Sequence, residues 1–202
     1  MSRDVVAAFD FDGTITRRDT FLPFLQAVAG KRRYLQQMLA LSPGLLAYLL
    51  GIINNHAVKN RLLTQFLRGN EVGDVDRLAR SFAAGRLQQF VRPSALARLR
   101  WHQQQGHRCV IVSASLECYL RPWSEATGGL EVVGSRLASD NGMYTGELLG
   151  QNCYGAEKVS RLNDLLGARE TYTLYAYGDS KGDRELLAWA DHAYYRQMPA
   201  AT

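Results

Sequence analysis

Short apolar runs separated by long helical stretches constrain this chain more than anything else in it. Residues 5–9 (VVAAF), 108–113 (RCVIVS), 131–134 (EVVG) and 172–177 (YTLYAY) are brief, rich in β-branched or aromatic side chains, and bounded by charge or turn residues. Such runs read as strands buried on both faces, which is the mark of a parallel sheet. A last short strand is expected around 192–195, and Asn141-Gly142 predicts a tight hairpin turn between two short segments. From about 19 to 105 there is almost no strand signal. Leu62, Leu63, Phe66 and Leu67, then Leu78, Phe82 and Leu87, recur instead at helical spacing. Four or five helices are expected there, the last over about 92–105 with Pro93 in its first turn and Gly106 beyond its end. Further helices are expected over about 116–126, 156–166 and through 185–189. Strands alternating with helices give an α/β fold, a doubly wound parallel sheet with the helical block inserted after the first strand.

The 202 residues suffice for one such domain with a modest insertion. A formal charge of +5 suits a protein that handles phosphorylated metabolites, lipid headgroups or nucleic acid, or else is an uneven solvated surface. No nucleic-acid motif and no basic–aromatic platform is present, which argues against a nucleic-acid partner. Cys109, Cys118 and Cys153 lack metal-ligand spacing, and their odd number argues against a disulfide framework. With no signal peptide before the first strand, the chain is read as cytoplasmic. Residues 34–55 carry no charge and are long enough to span a bilayer. Gln36-Gln37 and Ser42-Pro43-Gly44 are expected to break them into two short apolar helices. Burial inside the insertion is the first reading, and peripheral contact with the inner face of a membrane the second.

The polar residues that follow the strands carry the chemistry. Strand one ends in Asp10-Phe11-Asp12, and alternation along an extended chain points both acids the same way. Strand two ends in Ser113-Ala114-Ser115, the strand over 172–177 ends in Gly178-Asp179-Ser180-Lys181-Gly182-Asp183, and Lys158 opens the helix before it. In doubly wound sheets these carboxyl ends form the active site. Crowded acids raise one another's pKa values, a divalent cation relieves them, and an all-carboxylate set suits Mg²⁺. A carboxylate can attack phosphorus, while a lysine and helix-start N–H groups hold the phosphoryl oxygens. Taken singly, a strand-end Asp or Ser113 is a common helix cap, and Lys158 a solvated helix residue. The four in this order are far more specific.

These residues resemble the four motifs of the haloacid dehalogenase (HAD) superfamily. Asp10-Phe11-Asp12-Gly13-Thr14 is similar to its first motif, Ser113 to its second, Lys158 to its third, and Gly178-Asp179-Ser180-Lys181-Gly182-Asp183 to its fourth. The likeness runs from Val5 to about Tyr195, and residues 150–158 resemble the lysine loop of subfamily IB, the phosphoserine phosphatase-like branch. It implies a HAD-like Rossmannoid core over 1–16 and 91–202 with a helical C1 cap over 17–90. It also implies a Mg²⁺-dependent phosphoric monoester hydrolase working through an aspartyl-phosphate. Asp10 would be the nucleophile and a metal ligand. Asp12 would be the general acid/base and give the metal its backbone carbonyl. Asp179 would be the second side-chain ligand, and Asp183 would act through a metal-bound water or by orienting Lys158. Ser113 and Lys158 would bind phosphoryl oxygens with the N–H groups of Phe11, Asp12 and Ala114. Asp19 stands where phosphoserine phosphatases carry a substrate-binding Glu. The apolar cap, flanked by Lys31-Arg32-Arg33 and by His56, Lys59 and Arg61, resembles members that act on lipid phosphates. The substrate is therefore expected to be a small phosphorylated metabolite or a lipid phosphate. The alternatives are a phosphotransferase or mutase on the same scaffold and a non-enzymatic anion- or membrane-binding module.

Overall fold

The computed structural model describes residues 3–49 and 55–200. Five strands form one parallel sheet: β1 (Asp4–Phe9), β2 (Arg108–Leu116), β3 (Glu131–Ser135), β6 (Tyr172–Gly178) and β7 (His192–Tyr195), in the order β3-β2-β1-β6-β7. The order reverses at β1, so the crevice where a doubly wound sheet binds its ligand opens beside the end of that strand. The remaining strands, β4 (Leu137–Asp140) and β5 (Met143–Leu148), pair antiparallel around Asn141-Gly142 as the sequence predicts.

Strand alternation sorts the apolar side chains into two cores. Ala7, Phe9, Cys109 and Ile111 face one side, where they meet α5 (Pro93–Gln104) and α6 (Glu117–Ala126). Val6, Ala8, Val110 and Val112 face the other, under α7 (Ala156–Leu166) and α8 (Arg184–Trp189). Among the described residues, four α-helices lie between β1 and β2 before α5: α1 (Phe21–Ala29), α2 (Lys31–Leu49), α3 (Asn55–Leu67) and α4 (Val72–Ala84). Their apolar stripes join the first core, where Phe24 and Phe82 pack against Tyr119 of α6. The chain leaves for this block and returns from it at one place. Thr16 bridges Val91, Arg17 N donates to Phe90 O at 2.8 Å, and Arg92 N to Ile15 O at 2.9 Å.

One expectation fails. The uncharged stretch does not split at Ser42-Pro43-Gly44, because α2 runs unbroken from Lys31 to Leu49. Proline has no N–H for the carbonyl four residues back, which here is Leu39. Ser42 Oγ donates to that carbonyl at 2.7 Å, so the bond missing from the ladder is replaced by the preceding side chain. Residues 50–54, the rest of the expected second helix, lie outside the described residues. No helix among the described residues is long and apolar enough to cross a membrane.

Candidate active site

The carboxyl edge of the sheet gathers the expected residues. Asp10 continues the ladder past β1, its N–H donating to Tyr177 O at 2.9 Å, so its carboxylate is fixed by the sheet. Lys158, in the first turn of α7 and 2% exposed, reaches Asp10 Oδ1 at 2.5 Å and Asp183 Oδ1 at 2.6 Å. Burial works against the ammonium, but the two acids outweigh it and hold its pKa above the usual lysine range. Burial, with Asp183 and Asp179 nearby, pushes Asp10 up to about 6 against the pull of Lys158.

Asp183 organises the loop after β6. Its Oδ2 accepts the N–H groups of Asp179 (3.1 Å) and Ser180 (3.0 Å) and the Ser180 hydroxyl (2.9 Å), while Oδ1 takes Lys158. Lys158 and these donors overcome burial and hold its carboxyl below the usual range. Asp179 is instead raised, first by burial and then by Asp183. One oxygen from each of Asp10, Asp179 and Asp183 lies within 4.8 Å of the others. Three acids so close are a hard, all-oxygen donor set of the kind that takes Mg²⁺.

Asp12 turns elsewhere. Its Oδ1 accepts Thr20 Oγ1 (2.6 Å) and Thr20 N (3.0 Å), and its Oδ2 accepts Ser115 Oγ (2.5 Å). Burial, helped by Asp19, raises it to about 7, more than the Ser115 and Thr20 hydrogen bonds lower it. Neighbouring carboxyls thus occupy different settings, Asp10 against an ammonium and Asp12 among hydroxyls. Ser113 is buried, with Oγ accepting Ser115 N at 3.1 Å. The Phe11 ring is buried edge-on to Trp123.

Asp19 is exposed and accepts Leu22 N at 3.2 Å, at the start of α1. It shares a cleft of about 250 Å³ with Asp12, Phe21, Lys59, Leu62 and Ser115. Lys59 departs from its expected place on a basic rim. It is 7% exposed, and its ammonium donates to Ala114 O and to Asn152 Oδ1 (2.9 Å). The reason lies in α3: Lys59 precedes Leu62 and Leu63 by three and four residues, so it shares the face of the helix that packs inward. That spacing was the available signal. Thr20 and Asn152 had none beyond residue type, whereas Ser115, two residues past Ser113, had strand alternation.

The sequence pattern of the haloacid dehalogenase-like hydrolases matches residues 7–188. The chain belongs to that family. Within it, this hydrolase is 39% identical over 193 residues to protein CicA of Caulobacter vibrioides, covering 95% of this chain and 86% of that protein. It is 31% identical over 200 residues to a probable phosphatase of Mycobacterium tuberculosis, covering 93% and 67%. A phosphoserine phosphatase solved with substrate bound superposes with a TM-score of 0.61 at 16% identity, over 94% of this hydrolase and 84% of that chain. The shared fold is the HAD-like Rossmannoid sheet with its helical insert. In this hydrolase the tight meeting of the first and fourth motifs depends on Gly13. At φ +85° its missing side chain leaves the space that Asp179 Oδ2 occupies, 2.2 Å from where a Cβ would stand.

Proposed function

We propose that this hydrolase is a phosphatase that cleaves a phosphate monoester through an aspartyl-phosphate on Asp10, with Asp12 as the proton donor and acceptor. One observation carries the reading: a buried carboxylate, fixed by the sheet and gripped by Lys158, adjoins a second carboxyl whose pKa is raised toward neutrality. Asp10 would attack phosphorus while Asp12, protonated, gives its proton to the departing oxygen. Asp12 would then take a proton from the water that hydrolyses the acyl phosphate. Lys158, Ser113 and the N–H groups of Phe11, Asp12 and Ala114 would hold the equatorial oxygens. Asp10 and Asp179, with the Asp12 carbonyl, would hold Mg²⁺, with Asp183 beside them acting through a water or by orienting Lys158; when bound, the ion offsets the crowded negative charge of acids and phosphoryl group. The fully engaged Asp183 supports the positioning role, since four donors already occupy its oxygens.

We read residues 17–90 as the cap and 1–16 with 91–202 as the core, a division supported by the paired stems at Thr16 and Val91. The leaving group would lie in the cleft between them. Phe21 and Leu62 offer it apolar contact, and Asp19 and Lys59 opposite charges, which suits a small zwitterionic or polar phosphorylated metabolite. A lipid phosphate is the second reading, favoured by Leu35 and Leu39, 57% and 76% exposed on α2 after Lys31-Arg32-Arg33. Three unpaired thiols support a cytoplasmic setting.

The test is phosphate release from an aryl phosphate with Mg²⁺ and with EDTA, for wild type and Asp10→Asn. Activity is expected only in wild type with Mg²⁺, and equal activity in the two proteins would refute the nucleophile. Small phosphorylated metabolites compared with lysolipid phosphates then separate the two substrate readings, and product made only when an alcohol acceptor is added would mark a phosphotransferase.

A further inference from the structure

A second hollow adjoins the turn that follows Asp12. It measures about 360 Å³, is bounded by Gly13, Thr14, Arg92, Ser94, Asp179 and Arg196, and shares no residue with the cleft that holds Lys59. Both arginines are anchored through backbone carbonyls. Arg92 donates to Thr16 O (Nε, 3.1 Å) and Gly13 O (Nη2, 3.2 Å), and Arg196 donates to Asp179 O (Nε, 2.9 Å). Among the described residues neither guanidinium forms an ion pair. Nη1 of Arg92 and both terminal nitrogens of Arg196 have no protein acceptor among the described residues. The chain is bent to bring Arg196 here: it has φ +53°, a left-handed conformation rare for a non-glycine residue, and its N–H donates to Gly178 O at 2.8 Å. Asp179 is the one acid lining the hollow, so two fixed cations face one carboxyl.

We propose that this hollow is a binding site for a small phosphate-class dianion, held by Arg92 and Arg196 and distinct from the site where the phosphate ester reacts. Planar guanidiniums with free N–H groups match the oxygens of a tetrahedral anion. The Ser94 hydroxyl and the Gln197 amide, also on the wall, add neutral donors. The same arginines hold the carbonyls of Gly13, Thr16 and Asp179, so a bound anion braces the two loops that carry Asp12 and Asp179. Asp12 lines the first cleft, whereas Gly13, Thr14 and Asp179 line the second, so the anion would lie beside the acids of the reaction site with only Asp179 in common. The proposal does not depend on the phosphatase reading.

Calorimetric titration of the full chain with inorganic phosphate in EDTA tests it. Wild type is expected to bind one phosphate per chain. Arg196→Gln, a change at an exposed residue, and Arg92→Gln should each weaken binding about tenfold or more, the usual effect of losing a charge-assisted hydrogen bond. Ser113→Ala should bind as wild type does. Methylphosphonate separates the sources: binding equal to phosphate assigns the site to a phosphoryl group carried on a larger molecule as well, and binding of phosphate alone assigns it to the free ion. No binding by wild type at millimolar phosphate, undiminished binding by Arg196→Gln, or loss of binding in Ser113→Ala would each overturn the site.

Discussion

A methyl group at position 13 would meet Asp179 Oδ2 at 2.2 Å, far inside any real contact, and would have to adopt φ +85° as well. Gly13→Ala therefore combines two penalties. The left-handed conformation costs about 1–2 kcal/mol, and the carboxylate of Asp179 must swing away from Asp10 and Asp183. Displacing a catalytic group by an ångström can cost about 100-fold in rate, and a loss of that order in kcat is the expected outcome. Gly167→Ala separates the two effects, because Gly167 has φ +77° with nothing within 4 Å of a built Cβ. It should show the stability loss in urea denaturation with full phosphatase activity. Equal activity losses in the two variants would mean that strain, and not the crowding of Asp179, explains Gly13.

At the scale of elements, the strands were legible because a strand buried on both faces has few alternatives to a short β-branched run. β1, β2 and β6 stand where the apolar pattern puts them, and α7 begins and ends at the predicted residues. The residues at the strand ends were legible for the same reason, since topology brings Asp10, Ser113 and Asp179 to one edge. What the apolar pattern could not supply was a side chain replacing a backbone donor, such as the Ser42 hydroxyl standing in for Pro43 within α2. The support beneath the site was equally hidden. Phe9 and Tyr177, each one or two residues before a key acid, stack at 4.4 Å and 6°. The Tyr177 hydroxyl accepts Arg98 Nε–H at 2.8 Å and meets His102 Nε2 at 2.8 Å. Tyr177→Phe preserves the stack and strips a buried guanidinium and imidazole of their shared partner. The expected cost is about 1–3 kcal/mol in urea denaturation, and a neutral result would show that this network does not support β6.

At the scale of the whole molecule, Lys59 ties the inserted helices to the end of β2 through Ala114 O and to Asn152. Burial pushes its pKa down from the ordinary 10.5 to about 8, against the pull of Asp12. The unfolded chain keeps its proton up to 10.5, whereas the folded protein releases it near 8. Between those values the unfolded state binds more protons, so the contribution of Lys59 to stability rises with pH; below 8 its full cost is present, about 3 kcal/mol. Lys59→Met removes this titration. It also takes one donor from Ala114 O and one from Asn152 Oδ1, which keeps the Ser135 hydroxyl at 2.9 Å, but that cost does not vary with pH. Relative to wild type, the variant should therefore lose about 3 kcal/mol of stability between pH 7.5 and 10.5. Urea midpoints of both proteins across that range measure it, and taking the difference cancels the cysteines and tyrosines that titrate in the same window. A flat difference would mean that Lys59 is solvated in the folded protein. The inserted helices would then be held to the end of β2 by something other than a buried ammonium.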